Sequence, residues 1–437
     1  VSKVEAKNQG GLKPKLRFPE FNGRWEYQQL GEICFITNEK AGSRKYILMS
    51  ITSGVGLVSQ MEKFGREIAG EQAKNYLVIR KNDFAYNKSA TKEFPEGFIA
   101  MYSGKEDASV PNSIFTCFRI QRNKVIPSYL RYLFLGNLHG RWIRNFIEVG
   151  ARAHGSLSID NKDLLTLPVP LPEGDHSHAE QQKIADCLSS LESLISAESQ
   201  KLEHLQTHKK GLMQQLFPAE GETVPKLRFP EFEGGLEWEK KKFGELVAKS
   251  FYGTSSPTTE KGKYPVLRMG NMANGKLDFS NLAYIDLSSD EFEKFRLKRG
   301  DILLNRTNSY DLVGKISIFD SEIECMAASY IVTYRLDEKK INSAFCNNIL
   351  NTSLYQGKIK ELATRAVSQA NINPTNFQNS ITFFLPEIEE QQKIASFLSS
   401  LDDVISAQKQ KIDLLKTHKK GLMQQLFPAP DEAQAGM

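Results

Sequence analysis

No run of about 18 apolar residues, the length a membrane-crossing helix needs, occurs in the 437-residue chain, and no secretory signal opens it. A soluble protein is expected, with the cytoplasm as its compartment. Cysteine is scarce and odd in number: Cys34, Cys117, Cys187, Cys325 and Cys346, never spaced Cys-x-x-Cys. That argues against a disulfide framework and against a zinc site. Two nucleotide motifs are missing, the Gly-x-x-x-x-Gly-Lys-Ser/Thr phosphate loop and a Gly-x-Gly-x-x-Gly opening a helix, which speaks against an ATPase and a Rossmann enzyme. The Asn/Asp-Pro-Pro-Tyr/Phe tetrapeptide of adenine methyltransferases is absent too. Its nearest approach, Asn373-Pro374-Thr375-Asn376, lacks the second proline and the aromatic ring. Nor is charge extreme: a net +5 and a pI near 8.7 permit a nucleic-acid partner without demanding one.

What the chain has is repetition. Ile184, Leu188, Leu191, Ile195, Glu198, Leu202, Leu205, Lys209, Leu212 and Leu216 alternate steps of four and three, the heptad rule of a helix with one apolar stripe. Such a helix is about 57 Å long at 1.5 Å per residue. The stripe returns 210 residues later as Ile394, Leu398, Leu401, Ile405, Gln408, Ile412, Leu415, Lys419, Leu422 and Leu426. Phe217-Pro218 and Phe427-Pro428 stop the two helices. Each stripe would be left in water alone, so the helices are expected to pair. A parallel pair would bury Lys209 against Lys419. The expected arrangement is antiparallel with Glu198 facing Lys419 and Lys209 facing Gln408, which leaves Ile184, Leu188, Ile394 and Leu398 as overhangs for other surfaces. Ala185, Gly211, Ala395 and Gly421 are expected to join those overhangs in docking partners.

A second repeat, Lys15-Leu-Arg-Phe-Pro-Glu-Phe21, recurs unchanged at Lys226–Phe232, with Trp25 and Trp238 following. The chain is therefore a tandem duplication of a unit of about 210 residues. Its expected segments are a flexible arm at 1–14, a globular block at 15–179, a helix at 180–218, a linker at 219–225, a second block at 226–386, a second helix at 387–428 and a tail at 429–437. Between Trp25 and Pro172, and between Trp238 and Pro386, only landmarks align: Asn82-Asp83-Phe84 with Gly300-Asp301-Ile302, and Arg152-Ala153 with Arg365-Ala366. Shared landmarks with unlike surfaces imply one fold carrying two different ligands. Strands are expected at Tyr46–Ile51, Phe98–Tyr102, Ile114–Ile120, Tyr264–Met269, Ile302–Asn305, Lys315–Phe319 and Tyr330–Leu336, and helices at Pro127–Ile147 and Asn342–Ala363. The class is α+β.

Catalytic and metal candidates are weak. His176-x-His178 before Glu180 lies in a segment four residues longer than its counterpart and reads as a polar insertion. Asp301 with Asp311 lacks a lysine placed to complete a nuclease site. A binding constellation remains. Asn87, Lys88, Ser89, Thr91 and Lys92 follow a strand in one block; Asn305, Arg306, Thr307, Asn308 and Ser309 do so in the other. Lys, Arg, Ser and Thr donate to phosphate, an Asn amide pairs edge-on with adenine, and Arg pairs with guanine. A second pair of polar turns supplies Arg152, His154 and Ser156, and Arg365, Ser368 and Gln369.

Two variable blocks, each followed by a helix that opens Glu-Gln-Gln-Lys-Ile-Ala after Leu-Pro and closes His-Lys-Lys-Gly-Leu-Met-Gln-Gln-Leu-Phe, closely resemble the DNA-specificity subunit of type I restriction-modification systems. The resemblance covers nearly the whole chain. It implies two target recognition domains of similar α/β fold joined by long antiparallel coiled-coil helices, with a pseudo-two-fold internal repeat, each domain reading half of a bipartite target in double-stranded DNA. It also implies a non-catalytic chain that binds no cofactor. Two modification subunits would supply S-adenosylmethionine-dependent methylation, and two restriction subunits an ATP- and Mg-dependent endonuclease. The rival reading is a coiled-coil assembly protein that binds protein partners without DNA.

Overall fold

A computed structural model of the chain describes residues 12–428 except 53, 122, 138, 147, 150–156 and 366–368. Two compact units result, one of residues 1–199 with 410–437 and one of residues 200–409. The boundary falls inside both long helices, so each unit holds one block and a part of each helix. No helix among the described residues is long and apolar enough to cross a membrane.

In the first unit an antiparallel sheet runs in the order Cys34–Thr37, Phe115–Ile120, Phe84–Asn87, Phe98–Met101. Its central strands are aromatic on the face turned to the core, where Phe84 stacks on Phe118 with centroids 5.4 Å apart and Phe134 meets Phe84 edge-on at 5.6 Å. The second unit repeats the order with Val247–Tyr252, Ile331–Leu336, Ile302–Asn305 and Ile316–Ile318. In each unit a further sheet contains one parallel pair, Ile47–Thr52 with Ala108–Val110 and Tyr264–Leu267 with Met326–Ala327. A two-stranded ribbon joins the start of each block to its end, Trp25–Gln29 with Pro168–Pro172 and Glu239–Lys242 with Thr382–Leu385.

Both expected block helices are broken. Pro127–Leu135 ends at Gly136-Asn137, where Asn137 takes a left-handed φ of 53°, and a short helix Gly140–Ile143 follows. Ser343–Leu350 stops before Thr352, whose hydroxyl accepts the Tyr355 amide and caps a new helix, Ser353–Glu361. Apolar spacing continued through both breaks, which is why one helix was expected in each.

The duplicated motifs dock on one another within each unit. The Arg17 guanidinium donates from Nε and Nη2 to the two carboxylate oxygens of Glu180, both at 2.7 Å; Arg228 does the same to Glu390, again at 2.7 Å. Both glutamates are buried. The next residue of each helix motif, Gln181 or Gln391, accepts at 2.9 Å the amide of Ile126 or Asn342, at the entry to a block helix. Backbone bonds complete the seat: the Leu16 amide donates to the Gln425 carbonyl and the Leu227 amide to that of Gln215, each at 2.9 Å.

The long helices span Ser177–Leu216 and Ile388–Leu426 and run antiparallel. Every stripe residue named above is buried or half-buried. Their register differs from the expected one by six residues. Lys419 reaches Glu192 at 3.1 Å instead of Glu198, Glu198 pairs with Lys411, and Lys209 donates to Asp402 at 2.6 Å instead of meeting Gln408. The expected register matched polar stripe residues alone; the observed one also closes the apolar ends. Ile184 and Leu188 are buried in one core with Met423, Leu426 and Phe427, and Ile394 and Leu398 in another with Leu216 and Phe217. The expected overhangs do not exist. A buried Leu or Ile contributes about 1.5–3 kcal/mol, more than a polar match along a half-exposed stripe. Ala185 and Ala395 are buried in the same cores and offer no docking surface.

His139 is buried against Phe134, and neither ring nitrogen has a partner among the described residues. Burial pushes its pKa down to about 3, against about 6.5 in an unfolded chain. The neutral ring favours the fold, so its stabilisation is complete above pH 6.5 and is lost as pH falls towards 3. His139→Leu is expected to flatten this part of the stability profile, measured as the difference between the variant and the parent in urea melts from pH 7 to pH 4. For the register, Glu192→Cys with Lys419→Cys is expected to oxidise to a disulfide readily. Glu198→Cys with Lys419→Cys, displaced by about 9 Å of helix, is expected to stay reduced under the same conditions.

Candidate nucleic-acid interface

Each block carries its candidate residues directly after the third strand of its main sheet. A buried turn aims that strand. Asp83 and Asp301 precede it and accept bidentate bonds from Arg119 (2.7 and 2.8 Å) and Arg335 (2.8 and 2.7 Å) on the neighbouring strand. Each also accepts a backbone amide, from Arg80 at 2.8 Å and Lys298 at 2.7 Å. The chain can fold back so tightly because the preceding residue is left-handed, Asn82 at φ 71° and Gly300 at φ 91°. This settles Asp301 as a structural residue. Asp311, the other half of the dismissed nuclease pair, is exposed.

The strand then delivers one cationic residue in each block, Lys88 and Arg306, and both are clamped alike. Lys88 donates its amide to the Ile114 carbonyl and accepts the Leu157 amide; Arg306 donates to Tyr330 and accepts from Ile372. Both side chains are half-buried. Their neighbours Asn87 and Asn305 are buried, which corrects the expectation that they present amides to a base. Asn87 Oδ1 accepts the Ser89 amide at 3.2 Å, and Asn305 Nδ2 donates to the Leu312 carbonyl at 3.3 Å. They shape the loop. Alternation explains the error: at a strand end the side chain that points inward and the one that points outward look equally polar in sequence.

In the first unit Ser89 and Thr91 are half-buried and Lys92 is exposed, with Thr91 Oγ1 accepting the Phe94 amide. Arg152, His154, Ser156 and Ser368 lie outside the described residues. In the second unit the two separate sequence stretches come together. Thr307–Asn308 and Ala363–Arg365 flank Ala370–Ile372 in one three-stranded sheet, with Thr307 opposite Asn371 and Arg365 opposite Ala370. Asn371 Oδ1 accepts from Arg306 Nε and Thr307 Oγ1, both at 3.3 Å. Asn308 is half-buried, and Ser309 and Gln369 are exposed. Sequence reasoning gave no role to the aromatic members of the site. The Arg365 guanidinium lies 3.6 Å from the Tyr310 ring centroid, Lys360 is 5.5 Å from the same ring, and Arg306 is 5.3 Å from Tyr252. Nearly half of the Tyr252 surface is exposed. The one signal available was Tyr310, a few residues after Arg306; Tyr252 lies far along the chain from both arginines.

This arrangement has cations and amides on a sheet surface, with no paired carboxylates and, among the described residues, no cluster fit for a metal. It can bind a polyanion and discriminate among planar groups. The family described as type I restriction modification DNA specificity domain matches the chain twice, over residues 22–207 and 236–417. The chain belongs to that family. Among individual relatives of this specificity chain, a putative type I restriction enzyme MjaX specificity subunit of Methanocaldococcus jannaschii is 30% identical over 194 residues, 44% of this chain and 45% of that one. The StySPI specificity subunit of Salmonella potsdam is 24% identical over 368 residues, 76% and 77% of the two chains. The chain thus spans less than half of the first relative and about three quarters of the second.

Solved structures agree on the fold. A specificity subunit from M. genitalium superposes with a TM-score of 0.53 at 14% identity, covering 96% of this chain and all of that one. A chain from a type I system solved for its complex assembly and conformational transition gives 0.58 at 16%, over 95% and 99%. The family match over both repeats supports the DNA-recognition reading in place of the protein-only assembly reading. Asp83→Asn and Asp301→Asn are each expected to destabilise their unit by about 1–3 kcal/mol, because a charge-assisted bidentate pair is lost while the arginine keeps part of its hydration. Urea denaturation measures this.

Proposed function

We propose that each block reads one half of a bipartite sequence in double-stranded DNA, and that the chain carries two copies of one modification subunit. The observation that bears most on the first statement is the shared clamp with unlike contents. One backbone geometry presents Lys88 with Ser89 and Thr91 in the first block, and Arg306 with Thr307 and Asn308 in the second. The same scaffold with different donors is what two different half-sites call for.

The second statement rests on the helices. Residues 207–218 and 417–428 are identical in sequence. Thr207, His208 and Lys210 are exposed, as are Thr417, His418 and Lys420. Gly211 and Gly421 sit inside helices, where glycine costs about 1 kcal/mol relative to alanine. A Cβ at Gly211 would meet nothing within 4 Å, and one at Gly421 only the Gln425 side chain at 3.9 Å. The fold itself does not require either glycine. A surface kept identical twice, with a glycine the fold does not use, suits two copies of one partner approaching closely. S-adenosylmethionine would be bound by those modification subunits, and ATP and Mg by restriction subunits where they join. The assembly would work in the cytoplasm, where the DNA is.

The helices would also set the unspecified gap between half-sites. The unit boundary falls inside each helix, so residues added there lengthen the connection between the blocks. Co-expression with a modification subunit is expected to yield methyladenine in a single bipartite motif with one fixed gap. Insertion of four residues into both helices is expected to change the gap and leave both halves intact; an unchanged gap refutes the ruler. Gly211→Leu with Gly421→Leu is expected to raise the melting temperature slightly, because a helix former replaces glycine, while co-purification of the modification subunit is lost.

A further inference from the structure

We infer that the second block reads guanine, with Arg365 and Arg306 as its base-reading side chains and Tyr310 and Tyr252 as the platforms that hold them. The inference rests on the DNA-reading function proposed above and names the base class. Arginines that serve the fold in this chain end on carboxylates, as Arg17 does on Glu180, Arg119 on Asp83 and Arg335 on Asp301. Among the described residues no carboxylate forms an ion pair with Arg306 or Arg365. Each lies instead beside a tyrosine ring, Arg365 on the small sheet and Arg306 directly before the sheet's strand Thr307–Asn308.

A guanidinium whose carbon is 3.6 Å from a ring centroid lies flat on the ring, since an end-on approach would push a nitrogen into it. Stacking uses the face of the group and leaves its in-plane N–H donors pointing outward. That fork matches the O6 and N7 acceptors of guanine in the major groove. Arg306 is aimed by a second contact, from its Nε to Asn371 Oδ1 at 3.3 Å, which leaves its two terminal nitrogens for an external acceptor. Stacking also removes the rotamer freedom that a free arginine would lose on binding. A phosphate accepts the same fork, so the experiment has to separate base from backbone.

The full chain is co-expressed with its modification subunit, methyladenine is mapped, and block exchange assigns the halves. Specific and random duplex binding are then compared at several salt concentrations. The half read by the second block is expected to contain guanine. Arg365→Lys, which keeps the charge but not the fork, is expected to relax one guanine position of that half by about 5- to 100-fold. The gap, the other half and the salt slope should be unchanged. Tyr310→Leu is expected to relax the same position with Arg365 still present. A second half without a G·C pair overturns the inference, as does an unaltered motif in Arg365→Lys and Arg306→Lys. Arg365→Ala weakening all sequences equally, with a salt slope lower by about one, also overturns it by assigning the arginine to phosphate. If the parent chain gives no bipartite motif, the two-half reading beneath the inference fails first.

Discussion

A buried arginine–glutamate pair, made twice, is the contact on which each unit depends. Arg17 with Glu180 and Arg228 with Glu390 fasten the segment that begins a block to the helix that ends it. Both carboxylates are almost wholly removed from water, so the pair is stabilising only as a complete, bidentate unit. The neighbouring residues extend the joint. Gln181 and Gln391 reach the entry of a block helix, Lys183 and Lys393 reach Glu20 and Glu231, and Phe18 and Phe229 lie under those lysines. The contacts named here between the two repeated motifs recur between the same residue types in both units. Identity of the ends and divergence of the middle follow from this, since the joint tolerates few substitutions and the loops many.

Much of this was legible in the sequence. The heptad stripe located both long helices to within a few residues, because a period sustained over forty residues is hard to imitate by chance. The tandem repeat revealed the duplicated fold, and most of the expected strands stand within two residues of those observed. Register was legible only in part. Direction follows from keeping Lys209 away from Lys419, but alignment along the axis was decided by Ile184, Leu188, Phe427 and their repeats. Their burial against the blocks could not be read from the stripe alone.

The site was legible by residue type and not by orientation. Lys88 and Arg306 occupy half-exposed positions on a shared geometry and Arg365 an exposed one, whereas Asn87 and Asn305 face the interior. One residue of shift along a strand reverses which side chain is presented. Tyr252 could not be associated with the site because it lies far along the chain from both arginines, and Tyr310 carried no mark of its role beyond its closeness to Arg306. Their role becomes visible only when the guanidinium groups are seen beside them.

The division of the chain into units has a consequence for synthesis. The second unit is one continuous segment, residues 200–409, whereas the first needs residues 410–427 to cover Ile184 and Leu188. A chain emerging from the ribosome can therefore close its second unit before its first. Until the last helix is complete, the block made earliest keeps an open hydrophobic face, with the aggregation risk that such a face brings. A stop codon shortly before Met423 would damage most the part of the protein farthest from it in sequence.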